Sequence, residues 1–394
     1  MLKLTTKEIT ALSKTGTGIG IKRITVNQHL PAPLRAQHIL LAKDKITSTT
    51  DGFHSVFTFD AEHVPATDNS NNIFHIPTFL DYLAEGDVVR FDVARRTLRT
   101  IYRLKANQNS LLVTERCNNF CLMCSQPPRD IDDSYLVKEL LEAVPLMDRR
   151  TVEIGITGGE PTLLGDSLLE LLWSLKNFLP ETAVHMLSNG RRFADPAFAK
   201  AVSEVEHPDL MIGIPIYSDI SNIHDYVVQA DGAFDETIKG ILNLKTLGVK
   251  VEVRVVIHKQ TFERLPQLAR FLARNLLFVD HVALMGLEMT GFTRTNIDEL
   301  WIEPGDYQSQ LVEAVETLAR NRMRVSVYNH QLCLLDKRIW KYNVKSISDW
   351  KNEFMPECGP CTKKDDCGGF FSSAHFKYSS RIKPFQSTGA ETKL

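Results

Sequence analysis

The chain reads Thr-Glu-Arg-Cys-Asn-Asn-Phe-Cys-Leu-Met-Cys from Thr114 to Cys124. This stretch spaces Cys117, Cys121 and Cys124 as C-x3-C-x2-C, and it directly follows the predicted strand Leu111–Val113. In a parallel α/β barrel, the loop after a strand lies on the functional face. Three thiolates can hold three irons of a cubane cluster. Because such clusters usually take four cysteines, the fourth iron stays open for a small molecule. The alternatives are incidental buried thiols or a zinc site, although zinc usually has four ligands.

Around and after this stretch, short apolar runs alternate with segments that have helical periodicity. The predicted strands are Leu111–Val113, Val152–Ile156, Ala183–Leu187, Leu210–Ile216, Val251–Ile257 and Val282–Met285. Amphipathic helices are predicted at Leu136–Val144, Leu168–Leu179, Phe234–Leu242, Leu268–Leu272 and Leu311–Leu318. Strands alternating with helices form a parallel sheet with right-handed crossovers. Since a full TIM barrel has eight such units, six predict an α/β fold with a partial (β/α)6 TIM-like barrel at residues 106–330.

Two regions with a different composition and apolar pattern flank the predicted barrel. Residues 1–105 contain short apolar runs broken by polar turns, which predict a small β-rich N-terminal domain. These runs are His38–Leu41, Val56–Phe59, Val88–Val93 and Leu98–Leu104. Residues 331–385 are rich in cysteine, glycine and aromatic residues, and they predict a cysteine-rich C-terminal extension. The polar residues 386–394 predict a disordered tail.

The cysteine spacing after the first strand, with the aromatic Phe120 before the second cysteine, resembles the signature of the radical S-adenosylmethionine (SAM) superfamily. The resemblance covers residues 108–330. It implies a [4Fe–4S] cluster on Cys117, Cys121 and Cys124, with SAM on the open iron through its amino and carboxylate groups. Electron transfer from the cluster to the sulfonium would give a 5'-deoxyadenosyl radical. That chemistry belongs to the cofactor, which the protein positions.

The loop after the second predicted strand carries Gly158, Gly159, Glu160 and Pro161, which resemble the family's GGEP motif. Glycines let a backbone approach a ligand closely. The resemblance implies that backbone carbonyls and the Glu160 carboxylate receive the amino group of SAM. A plain turn before a helix is the alternative.

Three later strands carry further candidates for SAM binding. Ser188 and Asn189 end the third strand, where the family often has T-N-G, which implies contact with the ribose; an ordinary turn is the alternative. Ser218 follows the fourth strand and replaces an aspartate that peptide-modifying relatives often have. Arg254 lies inside the apolar fifth strand, where a charge needs a partner. It resembles an arginine that pairs with the SAM carboxylate, and a structural salt bridge is the alternative.

The sequence assigns no general acid or base, because that assignment needs substrate geometry. The nearest candidates are His224, Asp225, His258 and Glu288, and each of them is as readily a structural residue. The sixth strand, from Val282 to Gly286, is expected near the adenine of SAM.

A second group of cysteines lies in the C-terminal extension. Cys358, Cys361 and Cys367 are spaced C-x2-C-x5-C, and Cys333 supplies a fourth ligand. Four thiolates could close an auxiliary [4Fe–4S] cluster, and a structural zinc ribbon is the alternative. The spacing resembles the SPASM or shorter twitch extension of radical SAM peptide maturases, with ligands for one cluster.

The same region resembles a radical SAM maturase of the His-Xaa-Ser repeat system at Asn329–Cys333, Ser348–Asn352 and Cys358–Phe371. This resemblance implies a small ribosomally made peptide as substrate, a partner radical SAM maturase, and a flavodoxin or ferredoxin as electron donor. The alternatives are a sulfatase-type maturase, a small-metabolite radical SAM enzyme, or a non-catalytic iron–sulfur or zinc protein.

Charge and cysteine usage bound the class of protein. A formal net charge of -2 over 394 residues argues against nucleic-acid binding by bulk electrostatics. No apolar run approaches the roughly 18 residues of a membrane span, and the N-terminus lacks the apolar core of a signal peptide. We therefore expect a cytoplasmic enzyme without membrane partners. Seven clustered cysteines suit metal ligation better than complete disulfide pairing in that compartment.

Overall fold

The computed structural model describes residues 3–64, 72–345 and 353–386. Its first sheet is formed by β1 (Thr5–Thr6), β2 (Thr10–Ala11), β3 (Ile19–Thr25), β4 (His38–Ala42), β5 (Ser55–Thr58), β6 (Ile73–His75), β7 (Val88–Asp92) and β8 (Thr97–Tyr102). The strand order is β1-β8-β7-β3-β4-β5-β6-β2. Strands β3 to β6 pair in parallel, and β7 and β8 form an antiparallel hairpin.

The second sheet is formed by β9 (Asn109–Leu112), β10 (Glu153–Thr157), β11 (Ala183–Leu187), β12 (Leu210–Pro215), β13 (Lys250–Ile257), β14 (His281–Gly286), β15 (Val325–Tyr328) and β16 (Asn343–Val344). The strands follow one another in chain order. Every neighbouring pair is parallel. The carboxyl ends of these parallel strands therefore lie at one edge of the sheet, where the functional site of a barrel-type fold is found.

The α-helices are α1 (Ala32–Arg35), α2 (Tyr135–Ala143), α3 (Asp166–Phe178), α4 (Pro196–Glu204), α5 (Ser221–Val228), α6 (Ala233–Thr246), α7 (Leu265–Asn275), α8 (Phe292–Thr295), α9 (Ile297–Leu300) and α10 (Gln308–Arg320). Those between the strands of the second sheet bury an apolar stripe against it. In α3, for example, Leu168, Leu171, Leu172 and Leu175 are all fully buried. A spacing of three and four residues puts these leucines on one face of the helix.

The predicted mixed α/β fold with a parallel sheet is confirmed, and the six predicted strands correspond to β9–β14. The strand count was too low, because β15 and β16 extend the sheet beyond the predicted (β/α)6 barrel. Both strands are short, so they give little periodic signal. Helices α4 and α5 were also missed. Leu242, assigned to the apolar face of α6, is 42% exposed, and Leu244 is buried instead.

Polar contacts join the first sheet to the helical layer of the second. Glu139 on α2 accepts hydrogen bonds from Arg90 (2.5 Å) and from Arg99, which lie on the neighbouring strands β7 and β8. The hydroxyls of Tyr102 and Thr151 are 2.7 Å apart and buried. One carboxylate therefore ties two strands of the first sheet to α2.

Two predictions fall outside the described residues. These are the Ser348–Asn352 part of the His-Xaa-Ser resemblance and, from residue 387 onward, the disordered tail. Within the ranges that the structure describes, none of the helices has the length and apolar character to cross a membrane.

Candidate active site

The ends of the parallel strands enclose a cavity of about 1150 Å³, a volume that includes its solvent-open part. Cys117, Cys121 and Cys124 line it from the loop after β9. Later strand ends supply other walls, among them Gly159, Ser188, Asn189, Tyr217, Arg254 and Glu288. Residues predicted from five separate stretches of sequence thus meet around one cavity.

Backbone hydrogen bonds fix the path of the cysteine loop. The N–H groups of Phe120 and Leu122 donate to carbonyls at the end of α5, at 3.0 and 2.9 Å. The N–H of Phe292 donates to the carbonyl of Cys124 at 2.9 Å. Peptide groups therefore help to set the course of the loop that carries the three thiols.

Gly158 and Gly159 bring the loop after β10 against the segment that leads into the first cysteine. The N–H of Gly159 donates to the carbonyl of Thr114 (2.8 Å), and the N–H of Glu160 donates to that of Arg116 (2.7 Å). A Cβ on Gly158 would lie 2.4 Å from the Thr114 oxygen, and one on Gly159 would lie 2.1 Å from the Arg116 oxygen. Only glycine permits this approach, so the motif shapes the cysteine loop itself.

The Glu160 carboxylate, predicted to receive the SAM amino group, is 1% exposed and bonded within the protein. One oxygen accepts from the N–H and hydroxyl of Thr162 (3.0 and 2.6 Å) and from the Ser188 hydroxyl (2.8 Å). The other accepts from the N–H of Asn189 (2.6 Å). Burial raises the pKa of Glu160, and these hydrogen bonds oppose that rise. The carboxylate caps the short 3-10 helix that Pro161 begins, and joins the loops after β10 and β11.

Sequence reasoning missed a residue that holds the cysteine loop from the next strand end. Arg191 donates to the Asn118 carbonyl (2.9 Å) and to the Asn119 side-chain oxygen (2.7 Å). It also pairs with Glu236 at 2.5 Å. The Asn189 side chain donates to that of Asn118 at 2.6 Å. The available signal was an arginine one residue beyond the Ser-Asn-Gly turn.

Arg254 both lines the cavity and makes a salt bridge. Its Nη1 donates to Glu252 Oε1 at 2.6 Å. Glu252 is 5% exposed, and its other oxygen lies 2.6 Å from Nδ1 of His281. Burial alone would raise the pKa of Glu252, but the nearby His185 ring, the hydrogen bond with His281 and the charge of Arg254 hold it well below its usual range. Glu252, which sequence reasoning overlooked, is therefore a buried carboxylate beside the cavity.

Ser218 does not line the cavity, unlike the other predicted side chains of the third and fifth strands. It is fully buried, and its hydroxyl accepts from the N–H of Ile220 at 3.2 Å. The next residue, Asp219, forms an ion pair with Arg264 at 2.6 Å. A hydroxyl that closes its own turn supports a structural role for Ser218, so the predicted part in SAM binding gains no support here.

Two of the four candidates for acid–base chemistry, His224 and His258, are buried, and a third, Asp225, is bonded to a helix terminus. His224 accepts from the N–H of Tyr217 at 3.2 Å, and burial lowers its pKa to about 4. Asp225 accepts from N–H groups at the start of α6 and holds that terminus. His258 is fully buried, and burial lowers its pKa to about 3. Glu288 alone of the four lines the cavity.

The three thiols by the cavity share a strongly desolvated setting. Burial raises the pKa of Cys117 to about 11, and it raises the pKa values of Cys121 and Cys124 as well. Proximity to the other cysteines adds to the rise for Cys117 and Cys121. Three thiolates in this buried setting need cationic compensation, which iron ligation supplies.

The four cysteines of the C-terminal extension are also brought together by the fold. Cys333, Cys358, Cys361 and Cys367 line one cavity of about 310 Å³. The N–H of Leu332 donates to the Cys367 sulfur at 3.4 Å, which joins the two segments that supply these cysteines. Throughout the described ranges, no three His, Cys, Asp or Glu side chains are gathered closely enough to hold a single metal ion.

A third cavity, of about 660 Å³, lies between these two. It shares Glu288 and Asn329 with the first and Gln331 with the second. Its walls are rich in aromatic residues, including Trp301, Tyr307, Phe370, Phe371 and Tyr378. The third cavity is therefore a neighbour of both cavities that the cysteine groups line.

Comparison with known proteins gives one family match, the Radical SAM superfamily, over residues 111–272. The Fe-coproporphyrin III synthase of Methanosarcina barkeri is 28% identical over 165 residues, which are 39% of this chain and 38% of that protein. Streptococcus suis SuiB bound to S-adenosylmethionine has a TM-score of 0.46 at 15% identity, over 58% of this chain and 51% of that one. Native anSMEcpe with bound AdoMet and a Cp18Cys peptide gives 0.43 at 16% identity, over 55% and 62%.

The matches cover 38% of the synthase and 51% and 62% of the two solved structures, in each case less than two thirds. The family match covers the strands from β9 to β13 and includes all three cysteines of the first group. A [4Fe–4S] cluster and SAM are the cofactors that this family implies, and the site fits them in its three unpaired thiols and adjoining cavity. The prediction of an enzyme is confirmed, and residues 111–272 match the Radical SAM superfamily.

Proposed function

We propose that this chain reductively cleaves SAM to a 5'-deoxyadenosyl radical and uses it to modify a ribosomally made peptide, in a His-Xaa-Ser repeat maturation system. The observation that carries the SAM chemistry is the meeting of Cys117, Cys121 and Cys124 with Gly159 and Arg254 around one cavity. The cluster and SAM supply the reductive cleavage, and the residues described below bind and orient them.

Each side of the cavity offers a different group to SAM. Cys117, Cys121 and Cys124 would hold the cluster. Because the Glu160 carboxylate is occupied, the backbone carbonyls of the Gly158–Gly159 loop are the better acceptors for the amino group. Arg254 would pair with the carboxylate through the N–H groups that Glu252 does not use, since a guanidinium has five. Asn189 lines the cavity where ribose contact is proposed, whereas Ser188 is already bonded to Glu160.

The four tail cysteines support an auxiliary [4Fe–4S] cluster. A tetrahedral zinc, with Zn–S distances of about 2.3 Å, draws four sulfurs towards a point. Four thiolates also match the ligand count of a closed four-iron cluster, and all four cysteines line one cavity of about 310 Å³. Lys363, Lys364 and Lys383 line the same cavity and would offset part of the negative charge of four thiolates.

The third cavity, of about 660 Å³, supports the proposal of a peptide substrate. It is continuous in its lining with the first cavity at Gly286–Glu288 and reaches the tail cysteines through Gln331. Aromatic walls with a few polar groups suit a peptide side chain. The His-Xaa-Ser assignment itself rests on the sequence resemblance at Asn329–Cys333 and Cys358–Phe371. A partner maturase and a flavodoxin or ferredoxin donor belong to the same proposal.

The test is anaerobic incubation of the reconstituted protein with SAM, dithionite and a candidate His-Xaa-Ser peptide, followed by mass spectrometry of the peptide. The expected result is a mass change in the peptide that requires SAM and is absent with Cys121→Ala. SAM cleavage with an unchanged peptide would favour a sulfatase-type or small-metabolite enzyme. No SAM cleavage, with a fully assembled cluster, would favour a non-catalytic iron–sulfur protein.

A metal analysis tests the tail separately. The wild type should bind about eight irons per chain, as two clusters of four. Replacing Cys333, Cys358, Cys361 and Cys367 by serine should leave about four, spare some SAM cleavage and remove peptide modification. Four irons and one zinc in the wild type would identify the tail as a zinc ribbon and reject the auxiliary cluster.

A further inference from the structure

A buried polar chain lies beneath the cavity, on the inner face of the parallel sheet. Glu252 and Arg254 are two residues apart on β13, so their side chains share one face of the strand. Val256, two residues further on, lines the cavity with Arg254. His281 on β14 and Ser326 on β15 continue the chain across the sheet.

The contacts engage both oxygens of the carboxylate. Arg254 Nη1 is 2.6 Å from Glu252 Oε1, and His281 Nδ1 is 2.6 Å from Oε2. The opposite ring nitrogen of His281 is 2.9 Å from the Ser326 hydroxyl. His185 on β11 stands 3.4 Å from Oε1. A carboxylate this buried is stable only with such partners.

The intervening strand leaves room for this arrangement. Gly213 on β12 lines the cavity, and a Cβ there would lie 3.0 Å from Arg254 Cδ and 3.0 Å from His185 Nε2. The long arginine side chain therefore passes over a position without a side chain. Its head is held at one nitrogen by Glu252, and the side chain is 24% exposed at the cavity.

We propose that Glu252 is a positioning residue for Arg254. It fixes the guanidinium at one nitrogen, so that the remaining N–H groups face the cavity in the orientation that receives the carboxylate of an amino-acid ligand. His281 and Ser326 hold Glu252 in turn. The inference rests on the proposed function, because the ligand carboxylate is that of SAM. A purely structural ion pair inside the barrel would have no effect of its own on that ligand.

The negative charge of Glu252 distinguishes a residue that competes for Arg254 from one that positions it. Glu252 carries the same sign as the ligand carboxylate, so if it merely competed for Arg254, its neutralisation would strengthen SAM binding. If it positions Arg254, its neutralisation weakens SAM binding although a repulsive charge is removed. The two roles therefore predict opposite signs for Glu252→Gln.

The experiment measures SAM binding to the cluster-loaded holoenzyme and the SAM dependence of 5'-deoxyadenosine formation. Glu252→Gln should raise the Kd and KM for SAM about tenfold and leave kcat at saturating SAM near the wild-type value. In an Arg254→Ala background the same change should add nothing, because the residue acts only through Arg254.

Asp280→Asn is the matched control. Asp280 also bridges a cation to β13, since it pairs with Lys245 and accepts from the N–H of Val251, both at 2.7 Å, but it does not line the cavity. Its SAM affinity should match the wild type. If the Glu252→Gln variant is too unstable to assay, Glu252→Asp is the second variant. It keeps the negative charge but moves the carboxylate away from Arg254, and it should also raise the Kd for SAM.

Unchanged or tighter SAM binding in folded Glu252→Gln overturns the inference, as does an effect that persists in full without Arg254. A wild type that binds no SAM would reject the proposed function instead. The two failures are therefore distinguishable.

Discussion

Replacing Gly159 by alanine tests whether the GGEP loop shapes the cysteine loop. The new Cβ would lie 2.1 Å from the Arg116 oxygen and 3.0 Å from the Glu115 oxygen. Both are backbone atoms, so no rotamer change relieves the contact. An ordinary van der Waals contact of a Cβ is 3.4–4 Å, so one segment must move by at least about 1 Å. The segment that yields leads directly into Cys117.

The expected cost follows from that displacement. Overpacking of this kind destabilises a fold by about 1–3 kcal/mol. The hydrogen bonds from Gly159 and Glu160 to the Thr114 and Arg116 carbonyls, at 2.8 and 2.7 Å, are strained with it. A misplacement of about 1 Å in an active site costs on the order of 100-fold in rate. We therefore expect Gly159→Ala to fold, to load iron poorly at the first site, and to lose SAM cleavage by about that factor.

The assay is iron content, cluster spectroscopy and 5'-deoxyadenosine formation after anaerobic reconstitution. Gly155→Ala, on the preceding strand β10, is the matched control, because the closest atom to its Cβ would be the rotatable Ser110 hydroxyl at 3.2 Å. Full iron loading and normal SAM cleavage in Gly159→Ala would refute the view that this glycine sets the path of the cysteine loop.

Three further predictions concern the surroundings of the site. Glu160→Gln should lower the unfolding free energy by about 2–4 kcal/mol in chemical denaturation. The new amide NH2 would face at least one of the four donor groups that bond to the carboxylate in the wild type. A stability within about 0.5 kcal/mol of wild type would contradict this prediction. Arg191→Ala should make the first cluster more labile to oxygen, since two anchors of the cysteine loop are lost; Arg150→Ala, at a side chain that is 84% exposed, is the control. His258, with a folded pKa of about 3, stays neutral while the unfolded chain takes up a proton below about 6.5, so stability is lost as pH falls from about 6.5 towards 3. His258→Leu should remove about 1.4 kcal/mol per pH unit from the slope between pH 6 and 5, in urea titrations against wild type, and an unchanged slope would refute it.

The parallel sheet and the cysteine loop were readable from the sequence because both signals are local. A three-cysteine motif needs only its spacing, and buried parallel strands read as apolar runs. β15 reads Val-Ser-Val-Tyr and has only four residues, so it offered too short a run. The first sheet was less readable, since β3 (Ile19–Thr25) contains glycine, lysine and arginine and is stabilised by neighbours distant in sequence.

The roles of individual polar residues were harder to predict. Glu160 has the right type and place for a ligand group, but its orientation depends on Ser188 and Asn189, nearly thirty residues away. The partner of Arg254 was within reach of the sequence, because Glu252 is a second charge on the same face of an apolar strand. Its link to His281 depends on strand register, which a single sequence does not give.

The most direct test of the central claim is SAM cleavage by the isolated, reconstituted protein. Anaerobic incubation with SAM should yield 5'-deoxyadenosine only when dithionite is added. Cys121→Ala should abolish the product, and Cys358→Ala, in the tail group, should retain some of it. Product formation that is unchanged in Cys121→Ala, or no product from wild type with its first cluster fully assembled, would contradict the account.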